Sequence, residues 1–257
     1  MSEDIEVRID GRLVTPAEIE AWEARRARAV LKSLRKRLKL EGSASMHHDD
    51  LPSLRAEILR LKEQCGRDGL RKMLDGDIRL SNHLTNVVLA FSGSRRKPCV
   101  TEVRVFRCNA RQISRAIDDL MSCDTSDNRR SNLQACPDHY LLEPRGDILE
   151  VIETTGGSPR PAQFFLTFGD ESGLTTPRDP SFAYQSMGTA RSSLGKVIGG
   201  VRHQFRDEGD NAWARLMVEF PAAMPQRMIR EAKALISTSE CDRGIGLWPR
   251  TSQSALP

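Results

Sequence analysis

The chain has 257 residues, 39% of them hydrophobic and 29% charged, with a formal net charge of +4. This is the composition of an ordinary soluble protein with one sizeable core and room for a smaller second unit. Its longest clean apolar run, Val87–Phe91, is far too short to span a bilayer. Met1–Asp4 is acidic with no apolar run behind it, unlike a secretory signal, so the expected compartment is the cytoplasm. The six cysteines form no Cys-x-x-Cys pair and no regular framework, which suggests free thiols.

In chain order, Thr15-Pro16-Ala17-Glu18 reads as a capping box with proline at the first helical position, opening a helix that runs to about Leu40. Ile19, Trp22, Val30, Leu31, Leu34 and Leu38 make its apolar face. Arg25 to Lys39 is cationic without one acid. Gly42–Asp50, with His47-His48-Asp49-Asp50, reads as a linker. A second helix is expected from about Leu51 to Gln64, with Leu51, Leu54, Ile58 and Leu61 in register. The two form a helical hairpin suited to self-association or partner binding through helices 15–40 and 51–64. Gly66 and Gly69 punctuate, Leu70–Leu74 reads as a short helical turn, and Leu84–Phe91 as a buried helix or strand. Ser92–Pro98 marks the expected boundary. The domains are thus a helical region over 1–95, an α+β domain over 96–237, and a frayed tail over 238–257.

Beyond the boundary, Val100–Cys108 alternates like a strand and Asn109 caps a helix with Ile113, Ala116, Ile117, Leu120 and Met121 on one face. Cys123–Arg130 is polar and reads as a loop. Strand signals follow at Tyr140–Leu142, Ile148–Thr154, Phe164–Phe168, Phe182–Ala190, Val197–Arg206 and Ala212–Phe220. A closing helix starts near Pro225. Gly209-Asp210-Asn211 supplies turn chemistry for a hairpin over Val197–Pro221. On its first strand Val201, His203 and Phe205 share one face, so His203 points where the apolar side chains point. It is either a satisfied core residue or a proton-transfer or metal-binding group. A strand, a helical excursion, a six-strand antiparallel meander and a closing helix resemble the START or Bet v 1-like helix-grip fold, in which a sheet wraps a C-terminal helix around a cavity.

Four stretches carry a narrower resemblance: Asn132-Leu133-Gln134-Ala135-Cys136-Pro137-Asp138-His139-Tyr140, Val151-Ile152-Glu153-Thr154-Thr155-Gly156-Gly157, Arg202-His203-Gln204-Phe205-Arg206-Asp207 and Pro225-Gln226-Arg227-Met228-Ile229-Arg230-Glu231. In order and spacing they resemble the diacetylphloroglucinol hydrolase family. The resemblance implies a zinc-dependent hydrolase that cleaves the carbon–carbon bond between an acyl group and a phenolic ring. It implies Glu153 as a metal ligand and His203 as the proton-transfer histidine. Such chemistry is coherent, since zinc lowers the pKa of its water and a histidine near neutrality moves the proton to the leaving ring. This sequence departs from the family where a first metal histidine is expected, offering Cys123 and Asp124. On the closing helix Glu231-Ala232-Lys233-Ala234-Leu235 stands in place of a His-x-x-x-Glu pair.

Other readings of the same residues remain. Cys123, Cys136 and His139 offer thiolate and imidazole donors to zinc, and Cys123, Asp124, His139 and Glu231 are candidate replacement ligands. As a strand residue, Glu153 shares a face with Leu149 and Val151, which places it on a cavity wall. The expected function is therefore a zinc-dependent carbon–carbon hydrolase acting on a phenolic or polyketide-like small molecule. The expected metal ligands are Glu153 and His139, and the expected catalytic group is His203. The alternatives are a non-catalytic START-like domain binding a small apolar ligand, and nucleic-acid or partner binding through helix 15–40. Nucleic acid is disfavoured because Gly42 and the linker interrupt what a basic zipper needs as one helix.

Overall fold

The structure is a computed structural model that describes residues 5–40 and 50–238. The linker histidines His47 and His48, and the tail from 239 onward, lie outside the described residues. The chain is α+β, with a nine-stranded antiparallel sheet in the order β2-β1-β3-β9-β8-β7-β6-β5-β4. The strands are β1 (Ile5–Ile9), β2 (Arg12–Val14), β3 (Arg96–Val105), β4 (His139–Arg145), β5 (Ile148–Glu153), β6 (Ala162–Phe168), β7 (Tyr184–Arg191), β8 (Val197–Glu208) and β9 (Asn211–Pro221). The helices are α1 (Pro16–Arg37), α2 (Leu51–Ser92), α3 (Ala110–Ser122), α4 (Ser126–Ala135) and α5 (Gln226–Thr238). The six-strand meander and the closing helix expected from the sequence are both present.

Two strands were not read from the sequence. β1 and β2 form a hairpin through Asp10 and Gly11, both at positive φ (52° and 76°), the backbone a tight, right-twisted hairpin turn requires. β1 then pairs with β3, Ile5 opposite Val105 and Ile9 opposite Thr101. The segment 1–95 therefore contributes strands to the sheet as well as helices.

Cross-strand register decides which side chains share a face. Val7 lies opposite Val103, Val103 opposite Ala214, and Ala214 opposite Phe205. These four pack with Ile113 and Ile117 of α3 and Ile229 and Ile236 of α5 into one apolar cluster. At the far end of the sheet, Tyr140, Leu141 and Ile152 meet Ala27, Leu31 and Leu34 of α1 and Leu54, Ile58 and Leu61 of α2. The apolar stripes of the helical hairpin are thus spent on each other and on β4 and β5.

α1 starts as expected: Thr15 and Glu18 form a reciprocal capping box, with Pro16 in the first turn. Its cations are largely committed inside the chain. Arg25 pairs with Glu231, Arg26 with Asp138, Arg35 with Glu57 and Arg37 with Asp77.

α2 differs from the expected 51–64. It continues to Ser92 with Gly66 alone out of helical geometry, at φ 64° and ψ 176°. A glycine tolerates that backbone where other residues are strained. The expected break is therefore a kink. Leu84–Phe91, expected to be a buried helix or strand, is the last part of this helix, with Val88 and Leu89 half-buried and Leu84, Val87 and Phe91 exposed on one face. The expected loop at Cys123–Arg130 is replaced from Ser126 by α4. Thr125 caps α4 through the Asn128 amide, and a helix this polar gives no apolar periodicity to read.

Candidate functional site

Cys136-Pro137-Asp138-His139-Tyr140 carries the chain from α4 into β4, and three helices converge on it. Lys62 of α2 has no exposed surface. Its ammonium donates to the carbonyls of Pro137 (2.8 Å) and His139 and lies 5.0 Å from the centre of the Tyr140 ring. Burial lowers its pKa to about 8. Arg26 of α1 grips the fully buried Asp138 with two hydrogen bonds, Nε at 2.9 Å and Nη2 at 2.6 Å. A paired fork of this kind satisfies a buried carboxylate that would otherwise be prohibitive.

The strand register then brings together two residues that the sequence singled out separately. His139 lies opposite Glu153, beside an irregularity between His139 and Leu141. That bulge lets Leu141 face the helical hairpin while His139 stays on the side of Glu153. His139 Nδ1 is 2.9 Å from the Asn132 carbonyl oxygen. The nitrogen must donate there, which leaves the Nε2 lone pair directed at Glu153 Oε2, 3.7 Å away. Burial lowers the histidine to about 4. Burial raises Glu153 to about 7, the nearby Asp138 charge adding to the rise and a 2.8 Å hydrogen bond from Thr155 Oγ1 opposing it. The usual order is inverted, so below about pH 7 the proton of the pair sits on the carboxyl group.

The donor set does not fit zinc. Cys136 is pushed well above the ordinary thiol range by burial and by Asp138, and its sulfur accepts the Asp138 amide at 3.4 Å; a protonated thiol is a poor ligand. Asp138 is taken by Arg26. The candidate replacements are occupied as well. Glu231 accepts from Trp22 Nε1 at 2.7 Å and pairs with Arg25, and Asp124 pairs with Arg67 and Arg129. Cys123 is exposed beyond the end of α3. Among the described residues no group of three or more His, Cys, Asp and Glu side chains is placed to hold a metal.

His203 sits elsewhere. It is buried on β8 between its cross-strand neighbours Ser186 and Leu216, and burial lowers its pKa to about 4. Ser186 donates to Asp118 of α3 at 2.5 Å. Three strand spacings, about 14 Å, separate β8 from β5. Glu153 also pairs with Ala162 at one end of β6, whereas Gly188, two residues from Ser186, pairs with Phe168 at the other. His203 and Glu153 therefore do not share a site.

Beside the seam lies a cleft that the sequence reading missed. A cavity of about 280 Å³ opens between α2, α4 and β4. Leu70, Leu133, Tyr140, Leu141 and Leu142 form an apolar wall, and Lys62, Arg67, Arg129 and Arg130 face them with Glu63 as the one acid. Arg67 and Arg129 converge on Asp124, while Arg67 also reaches Glu143 at 2.7 Å and Arg130 holds Glu63 at 2.5 Å. The available signal was Gly66-Arg67-Asp68-Gly69 in the kink and Arg129-Arg130 behind the Thr125 cap. Both look like connecting chain in the sequence.

Among the described residues no helix is long and apolar enough to cross a membrane. No protein-family profile matches the chain, and no curated protein matches it. Among solved structures the chain is similar to "Crystal Structure of Protein Ms6760 from Mycobacterium smegmatis", at 11% identity and a TM-score of 0.27, over 54% of this chain and 91% of that one. A likeness of that size carries no argument about fold or function.

Proposed function

We propose that the chain binds a small acidic aromatic molecule, of the class of phenolic carboxylates, in the cleft between α2, α4 and β4. The observation that carries this reading is the lining itself: Arg67, Arg129 and Arg130 gather on one side, held by Asp124, Glu143 and Glu63, opposite a wall of leucines and Tyr140. A flat ring suits the apolar wall, and a carboxylate suits the convergent guanidinium groups, which bind such anions in forked geometry. At about 280 Å³ the space takes a single ring with few substituents. Asp124, which is part-exposed and bridges Arg67 and Arg129, occupies the place for which a ligand carboxylate competes. The scaffold reading that goes with this is a START or Bet v 1-like sheet, supported by the meander from β4 to β9 and by α5 closing over β3.

Titration calorimetry with salicylate, and with benzyl alcohol as the uncharged control, tests the proposal. Salicylate should bind more weakly as salt is raised, and the alcohol should give no heat. Arg67→Ala and Arg129→Ala should each weaken salicylate about tenfold. Equal binding of both compounds, or heat unchanged by the arginine substitutions, discards it.

A second reading is hydrolytic carbon–carbon cleavage of an acylated phenol without metal, favoured by the contact and inverted proton affinities of His139 and Glu153. In it Glu153 gives its proton to the leaving ring carbon and its carboxylate takes up the proton released by the attacking water, with His139 Nε2 orienting the carboxyl group. Wild-type protein should then turn over an acetylated phloroglucinol, and Glu153→Gln should abolish turnover while salicylate still binds. Absence of turnover by the wild type removes this reading and leaves the first untouched.

A further inference from the structure

The guanidinium of Arg67 is only half used by its partners. Nη2 donates to Asp124 Oδ1 and Nη1 to Glu143 Oε1 at 2.7 Å. Nε, the other tooth of the Nε–Nη2 fork, is buried with no hydrogen-bond partner among the described residues. On Arg26 the same fork is filled, Nε and Nη2 each taking one oxygen of Asp138. A carboxylate satisfies a guanidinium best when both its oxygens accept in parallel. Asp124 offers Arg67 one oxygen, and Arg129 Nε lies 3.8 Å from that same atom. A buried donor without an acceptor costs free energy, so this fork favours an anion that can fill both teeth.

The chain around Asp124 accounts for the poor fit. Asp124 precedes Thr125, whose hydroxyl caps α4 by accepting from the Asn128 amide at 3.1 Å. Asn128 Nδ2 in turn donates to the carbonyls of Asp119 (3.0 Å) and Cys123 (3.1 Å). These bonds set the corner between α3 and α4, and Asp124 reaches Arg67 from a tethered backbone. A free carboxylate has no tether. The corner is also lightly held on α2, because Leu133 and Ala135 are the only apolar residues of α4 and two ion pairs, Arg67 with Asp124 and Arg130 with Glu63, span the cleft. Partly exposed pairs of this kind hold weakly and are screened by salt.

We propose that Asp124 is an autoinhibitory latch on the cleft between α2, α4 and β4. In the free protein its carboxylate holds one tooth of the Arg67 fork, and it gives way to a ligand carboxylate that takes both Nε and Nη2. The latch rests on the ligand reading above and adds a selection to it: an anion must present two coplanar oxygens to outcompete the one that Asp124 supplies. The affinity of the wild type is then reduced by the share of molecules in which the latch is closed.

Titration calorimetry of the full chain with salicylate, at low and at high salt, tests the latch on Asp124→Asn and Asp127→Asn. Asp127 lies in the first turn of α4, so its substitution removes the same charge from the helix start without touching Arg67. Asp124→Asn should bind about tenfold more tightly than the wild type at low salt. That advantage should vanish at high salt, where screening has already opened the latch. Asp127→Asn should bind as the wild type does. Salicylate bound by the wild type and no more tightly by Asp124→Asn overturns the latch and leaves the ligand reading standing. An equal gain in Asp127→Asn does the same, since it marks a general effect of charge. Binding by Asp124→Asn alone upholds the latch in its strongest form. No binding by any of the three proteins removes the ligand reading, and the latch with it.

Discussion

Around β3, β9 and β8 the sheet is closed by Val103, Ala214 and Phe205 against Ile113 and Ile229, whereas around β4 and β5 the apolar cluster of Tyr140, Leu141 and Ile152 is joined by a buried polar network of Lys62, Asp138, His139 and Glu153. Both ends are buried, but they fail differently. In the apolar end each methylene removed costs a graded amount of transfer energy and packing. In the polar end every group depends on a specific partner, so removing one leaves the other desolvated and unmatched. The polar end is also the end beside the cleft, where burial has moved three ionisable groups, Lys62, His139 and Glu153, far from their ordinary pKa values. Such displaced groups gather where chemistry or recognition happens, and they also occur in purely structural networks.

The sharpest way to break this comparison is Arg26→Ala, which strands Asp138 with no exposed surface. We expect a loss of about 3–5 kcal/mol in urea unfolding. The double variant Arg26→Met with Asp138→Asn should recover much of that loss, because it removes both charges. If the double variant is no better than the single one, Asp138 contributes through other contacts. At the apolar end Phe205→Leu should cost only about 1–2 kcal/mol, since a smaller apolar side chain still fills most of the site. Equal costs for Arg26→Ala and Phe205→Leu would erase the distinction between the two ends.

Acid–base behaviour sharpens it further. Glu153 holds its proton in the folded chain up to about 7, against an ordinary 4.5. Its contribution to stability is therefore full below about 4.5 and is lost as pH rises through 7. His139 and His203, both near 4 against 6.5, work the other way. Their contribution is present above 6.5 and lost as pH falls through 4. Glu153→Gln removes only the first dependence while keeping an oxygen that can accept from Thr155. The melting temperature of the variant should therefore gain on the wild type by a few degrees between about pH 5 and pH 8. A difference that does not change with pH means that Glu153 titrates as an ordinary carboxylate.

These comparisons also separate what the sequence made legible from what it hid. Local rules found Thr15-Pro16-x-Glu18, the Asn109 cap and the Gly209-Asp210-Asn211 hairpin, because each is settled within a few residues of chain. Ile5, Val7 and Ile9 alternate, yet β1 is a strand only because β3 lies beside it, and β3 is more than eighty positions away in sequence. α4 escaped because a polar helix has no stripe. The meeting of His139 and Glu153 follows from the β4–β5 register and its irregularity, which no spacing in the sequence states. Both residues were named as candidates by resemblance and residue type, but the structure sets them facing each other and places His203 three strands away.

The smallest expected effect falls in the apolar end and checks that its helices are held by area more than by individual hydrogen bonds. Asn109 Oδ1 accepts from the Gln112 amide at 2.9 Å, and the Asn109 amide donates to Gln112 Oε1 at 3.4 Å. The next donor, the Ala110 amide, is already taken by Asp207 of β8 at 2.7 Å. Asn109→Ala therefore frees one amide at a partly exposed helix start, where water replaces the lost acceptor. We expect a loss of about 1 kcal/mol in urea unfolding, with faster hydrogen exchange confined to the first turn of α3. A loss approaching that of Arg26→Ala would mean that the cap, and not Ile113 and Ile117, fixes α3 on the sheet, and the two ends of the molecule would then rest on the same kind of interaction.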